Sequence, residues 1–156
     1  MPIGVVVLLL VLAFAGAFAV VRRRTDGRVR STVEQQPVRS GAPAAQASAA
    51  EVLTADELGG ELGAAATLVQ FSSAFCAPCR GARVVLGQLA AERPGVVHRD
   101  VDAESHLDLV RRLDVRRTPT TFVLDARGTV VGRVAGVPRS DETGRLLDAL
   151  GSTRPE

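Results

Sequence analysis

Thr67-Leu-Val-Gln-Phe-Ser-Ser-Ala-Phe-Cys-Ala-Pro-Cys-Arg80 passes from a short apolar segment, through a loop of small residues, into two cysteines and a helix-forming run. Thr67 to Phe71 is brief and uncharged, the pattern of a strand buried on both faces. Ala77 to Glu92 is rich in helix formers, and Arg93-Pro94-Gly95 stops it. Cys76 therefore falls at a strand-to-helix junction, where unpaired N–H groups and the helix dipole favour a thiolate. The thiolate is the form that attacks a disulfide. Cys79, one turn inside the helix, is shielded and suited to resolving a mixed disulfide. Pro78 sits in the first turn, where its missing N–H is tolerated and its φ is already helical.

These two cysteines are the only ones in the chain. A structural disulfide would close too short a loop to add much stability. A zinc site would need His98 and His106 as partners, but their placement lacks the usual ligand spacing. Dithiol redox chemistry is favoured, with no metal and no cofactor expected.

Outward from the cysteines, strands and helices alternate. Val52-Leu53 reads as a short strand, and Thr54-x-x-Glu57 as a capping box opening a brief helix. Val96 to Val101 is a second strand, followed by a helix over Ala103 to Leu113 capped by Asp102. Thr120 to Leu124 and Thr129 to Val134 flank Asp125-Ala-Arg-Gly128, a hairpin signature. A last helix runs from about Asp141 to Leu150. The expected class is α/β: a mixed central sheet with helices on both faces.

Four segments in this order resemble the thioredoxin family, across roughly Val52 to Leu150. They are the quoted strand and cysteine loop, Val96-Val-His-Arg-Asp-Val-Asp102, Thr118-Pro119-Thr120, and Phe122-Val-Leu-Asp-Ala-Arg-Gly128 through Gly136. The resemblance implies a thioredoxin-like fold and a protein-disulfide reductase, with Cys76 as nucleophile and Cys79 as resolving thiol. It implies a cis bond at Thr118-Pro119, with Gly136 facing the active site. Phe75, Ala77, Pro78, Thr118 and Pro119 would then form the substrate surface. Disulfide-containing proteins are the implied substrates, and a thioredoxin reductase or a membrane electron donor the implied source of electrons.

Departures from the family narrow the expectations. Phe75 stands where the family usually has Trp, and the chain has neither Trp nor Tyr. Gln70 replaces the buried Asp thought to handle the second cysteine's proton, and Gln cannot exchange a proton at neutral pH. With no ionisable group at position 70, no nearby carboxylate is expected to raise the cysteine pKa values or to accept that proton. Water or His98, where the family often has Lys, would take that proton. Phe71, Phe75 and Phe122 are expected in the core, with Phe75 lining the rim of the substrate surface. Arg111, Arg112, Arg116 and Arg117 bracket the approach to Pro119. Of these, Arg116 and Arg117 either attract acidic partners or steer the Cys76 thiolate, or else form a solvated rim.

The first fifty residues are of another kind. Ile3 to Val21 is an uncharged, mostly aliphatic run, close to the roughly 20 residues that cross a bilayer. Ala15, Ala17 and Ala19 could form a signal-cleavage site, but the basic leader is absent and the run exceeds a signal core. An uncleaved transmembrane helix over 1–21 is the expectation. Arg22, Arg23, Arg24, Arg28 and Arg30 follow it, which places the remainder in the cytoplasm by positive-inside logic. Residues 22–50 read as a linker, basic and then rich in Ala, Ser and Pro. Residues 51–151 read as the domain and 152–156 as a tail.

Charge supports this division. Six Arg and two acids precede Glu51, whereas 13 Arg and 15 acids follow from it, so the basic excess belongs to the flank. A nucleic-acid binder would carry its basic patch on the domain. Two alternatives stay open beside a tethered cytoplasmic reductase contributing to redox homeostasis. One is an exported reductase or isomerase of cytochrome-maturation type, and the other a non-catalytic adaptor with the same fold.

Overall fold

The computed structural model describes residues 3–25, 29–31 and 51–152, with side chains over 4–20 and 51–152. The remainder of the expected linker and tail lies outside the described residues.

The mixed sheet has the order β1-β5-β4-β2-β3. Its strands are β1 (Val29–Ser31), β2 (Ala66–Ser72), β3 (Val96–Asp102), β4 (Thr120–Asp125) and β5 (Val130–Ala135). β2 and β3 run parallel, and every other pair is antiparallel. The helices are α1 (Ile3–Thr25), α2 (Ala77–Ala91), α3 (Leu107–Arg112) and α4 (Ser140–Ser152).

All seven residues of β2 are buried, because helices cover the sheet on both sides. Alternation along the strand splits them between two cores. Val69 and Phe71 join Leu53, Val101, Leu109, Leu113 and Phe122 on one face. The Phe71 and Phe122 rings meet edge to face at 5.8 Å. Ala66 and Leu68 join Leu86, Leu89, Val123 and Leu147 on the other. Gln70 has the same parity as Ala66 and Leu68, so it points toward α2. From α2, Cys79, Ala82, Leu86 and Leu89 form the buried stripe that clamps the helix to the sheet. The cysteine loop is thus held by two rigid elements.

Several expectations require correction. Residues 29–31 pair with β5 as an edge strand, Val29 opposite Val134, within the segment read as linker. Val52 makes a single bridge to Thr129 and no strand. The capping box exists, with Glu57 accepting from the Thr54 N–H at 2.8 Å, but it closes a turn. Gly59-Gly60 follows at once and cannot sustain a helix. Asp102 does not cap a helix over 103–113. Its carboxylate accepts from the Glu104 N–H and the Ser105 hydroxyl, building a turn that delays α3 to Leu107.

The apolar N-terminal run is helical as expected and continues past Val21 to Thr25. Every large apolar side chain from Val5 to Val20 is exposed. Among the described residues, however, no helix is long and apolar enough to cross a membrane.

Candidate functional site

Cys76 is the N-cap of α2, with φ −93° and ψ 93°, and its Sγ accepts the Cys79 N–H at 3.2 Å. No acidic residue in the first turn opposes the helix dipole at this sulfur. Cys76 and Cys79 form a disulfide, with Cα atoms 5.3 Å apart. Exposure separates the two: Cys76 is half-buried, while Cys79 is 2% exposed and packs with the stripe of α2. An incoming sulfur can reach Cys76 but not Cys79.

Thr118-Pro119 is cis, as expected. Its loop is tied down on two sides. The Thr118 hydroxyl lies 3.1 Å from that of Ser73, in the loop leading to Cys76. The Pro119 carbonyl accepts the Gly136 N–H at 2.8 Å. Gly136 has φ +92°, a conformation side chains disfavour, which explains a glycine there. Around these fixed points Ala77, Pro78 and Phe75 are exposed, and Thr118 is half-buried. Phe75 is wholly exposed, so it lies on the surface and not in the core.

Gln70 lies directly beneath the second cysteine, donating from Nε2 to the Cys79 carbonyl at 3.0 Å. A second donation, at 2.8 Å, goes to Ser72 Oγ, and Ser72 in turn donates to Asp100 at 2.6 Å. Arg83 of α2 holds the far side of that carboxylate. Asp100 stands opposite Gln70 in the β2–β3 register and joins Cys79 through two side chains.

The structure brings Gln70 to Cys79 but not His98. His98 pairs with Leu68, farther from the cysteine end of the sheet. Its Nε2 is buried without a partner. Burial pushes its pKa below the ordinary imidazole value, Asp100 opposing that shift and Arg83 adding to it. His106 is exposed at the start of α3, its Nδ1 3.0 Å from the Asp102 carbonyl.

The arginines of the rim are partly spoken for. Arg116 pairs with Asp114 and Arg111 with Asp108. Arg112 bridges Glu51 and Glu57 at 2.8 and 2.6 Å, fastening the start of the domain to α3. Sequence reasoning missed Ser72, Ser73, Arg83 and Asp100. Nothing in the chain announces the register that sets Asp100 against Gln70.

The family model described as Thioredoxin matches residues 50–149. Thioredoxin H5 of Oryza sativa subsp. japonica is 31% identical over 74 residues, covering 47% of this chain and 54% of that protein. Thioredoxin C-3 of Corynebacterium nephridii is 32% identical over 81 residues, covering 52% and 55%. The chain thus spans about half the length of these relatives. A mutant thioredoxin from Halobacterium salinarum NRC-1 superposes with a TM-score of 0.51 at 24% identity, over 58% of this chain and 79% of that one. That likeness bears on the fold alone.

Proposed function

Because the chain belongs to the thioredoxin family, we propose that it is a thiol–disulfide oxidoreductase that reduces protein disulfides through Cys76 and Cys79. The observation that carries this reading is the asymmetry of the pair. Cys76 is accessible at a helix N-terminus, and Cys79 is buried in bonding contact behind it.

In the dithiol state the Cys76 thiolate attacks one sulfur of a substrate disulfide. A Cys76–substrate disulfide forms and the substrate's other sulfur leaves as a thiolate. Cys79 then gives up its proton and attacks Cys76 Sγ, releasing the second substrate thiolate. The Cys76–Cys79 disulfide remains, and an external dithiol donor returns two electrons and two protons. A thioredoxin reductase or a membrane dithiol donor would fill that role. The substrate's extended backbone would lie along Thr118-Pro119, whose position Ser73 and Gly136 fix. Phe75, Ala77 and Pro78 would supply the apolar contact.

The proposal includes tethering to a membrane through residues 3–21, with the domain in the cytoplasm. Its support is the uncharged aliphatic run and the five arginines that follow it. An adaptor would need neither cysteine, which disfavours that alternative.

Dithiothreitol-driven reduction of insulin tests the chemistry. Turnover should vanish in Cys76→Ser, and Cys79→Ser should accumulate mixed disulfides with substrate. Turnover that survives Cys76→Ser would reject the assignment. For topology, a C-terminal alkaline phosphatase fusion should be inactive and a green fluorescent fusion bright. The opposite pair of results would favour the exported reductase.

A further inference from the structure

The hydrogen-bonded chain beneath Cys79 has only one consistent direction. Oδ2 of Asp100 accepts from Arg83, and Oδ1 accepts from the Ser72 hydroxyl. A carboxylate has no hydrogen to give, so the single Ser72 hydrogen must point to Asp100. Ser72 Oγ is then left with lone pairs only, and Gln70 must face it with the amide nitrogen. The second hydrogen of that nitrogen goes to the Cys79 carbonyl. Both N–H bonds are used and the carboxamide cannot flip without breaking the chain. Its oxygen is left over. Gln70 is 0% exposed, and Oε1 has no hydrogen-bond partner among the described residues.

A buried acceptor without a donor is unfavourable, and natural proteins seldom retain one without a use. The disulfide explains the vacancy in the donor set. Oxidised Cys79 carries no hydrogen on sulfur. Reduction breaks the Sγ–Sγ bond with two electrons and two protons, and one proton ends on Cys79, a buried residue whose backbone carbonyl already accepts from Gln70.

We propose that Gln70 Oε1 accepts the Cys79 S–H in the dithiol state, and that Asp100, acting through Ser72, is the positioning residue that aims it. The inference rests on the redox reading of the two cysteines. It gives Gln70 a task that needs no proton exchange: the carboxamide holds the Cys79 hydrogen until Cys76 has formed its mixed disulfide. It also favours the dithiol over the disulfide, since reduction pairs an otherwise solitary acceptor. The competing donor is Thr121, opposite Gln70 on β4, whose buried Oγ1 is likewise without a partner.

The test uses the full chain carrying Cys76→Ser, so that Cys79 holds the only thiol, and reads its S–H stretch by infrared spectroscopy. The band should lie at lower frequency than that of a free thiol. Gln70→Leu should return it to the free-thiol position. Asp100→Asn should do the same, because an asparagine amide can donate to Ser72 and let Ser72 donate to Oε1. Asp100→Asn keeps the side-chain shape, so it also serves if Gln70→Leu folds poorly. With both cysteines present, each variant should shift the glutathione equilibrium toward the disulfide by about threefold to tenfold, tenfold being about 30 mV. A band unmoved by either variant overturns the proposal. Neither readout requires turnover, so an inactive protein with the expected band shift would reject the function and keep this arrangement.

Discussion

Reducing the Cys76–Cys79 disulfide should lower the stability of the domain by an amount that Gln70 sets. Cysteines three apart close a very short loop, for which the chain-entropy relation gives about 2 kcal/mol in favour of the oxidised form at 25 °C. Against this stands the solitary Gln70 oxygen, an unfavourable feature of the oxidised state that reduction removes. A thiol is a weak donor, so the lower end of the range for an unpaired buried group applies, about 1 kcal/mol. The oxidised wild type should therefore be the more stable by about 1 kcal/mol. In Gln70→Leu the gap should widen to about 2 kcal/mol, because the opposing contribution is gone. The same gap measures how much the fold favours the disulfide over the unfolded chain, and 2 kcal/mol is about thirtyfold. Urea unfolding followed by circular dichroism, with and without excess reductant, measures both values. Fluorescence is unsuitable, since the chain has no Trp and no Tyr. Equal gaps in the two proteins would refute the part given to Gln70. A gap near zero in Gln70→Leu would refute the loop reasoning.

Three further outcomes are expected. Phe75→Ala should leave the unfolding free energy within about 0.5 kcal/mol of wild type, as the ring is fully exposed. It should lower kcat/KM on a protein disulfide about fivefold, the loss of partial burial of one Phe in the complex; an unchanged kcat/KM would remove Phe75 from the substrate surface. Ser73→Ala breaks the 3.1 Å link to Thr118 and should cost about 1 kcal/mol of stability, with kcat/KM falling alongside. A destabilised variant with wild-type kcat/KM would make that link structural only. Glu57 is held down from 4.5 to about 2, chiefly by the hydrogen bond from Arg112 and then by the Thr54 backbone. Its folded value lies below its unfolded one, so its contribution is complete above pH 4.5 and lost as pH falls toward 2. Arg112→Ala should therefore destabilise by about 0.5–1 kcal/mol at pH 7, modest because the pair is solvent-screened, and the variants should converge near pH 2.

How far the molecule could be read from its residues depends on the range of the interactions involved. Cys76 at a helix start, Pro78 in the first turn and the hairpin at Gly128 are set by neighbours within a few positions, and each is found where expected. The start of α3 was misplaced because Asp102 satisfies a turn as readily as a helix cap, and only Ser105 and Glu104 together decide which. Apolarity alone leaves Phe75 between the core and the rim of a substrate surface, since an exposed binding surface is apolar for the same chemical reason, and its full exposure excludes the core. The edge strand at 29–31 depends on pairing with residues a hundred positions away. Asp100 belongs to this last class: its bearing on Cys79 needs the parallel register of β2 and β3, and Arg83 reaching across from α2. Replacing a buried acid by Gln70 looked, in the chain alone, like the removal of charge from beneath the active site. In the fold the charge has moved one strand outward to Asp100, where Arg83 can pair with it. A neutral amide is left to carry its direction inward to Cys79.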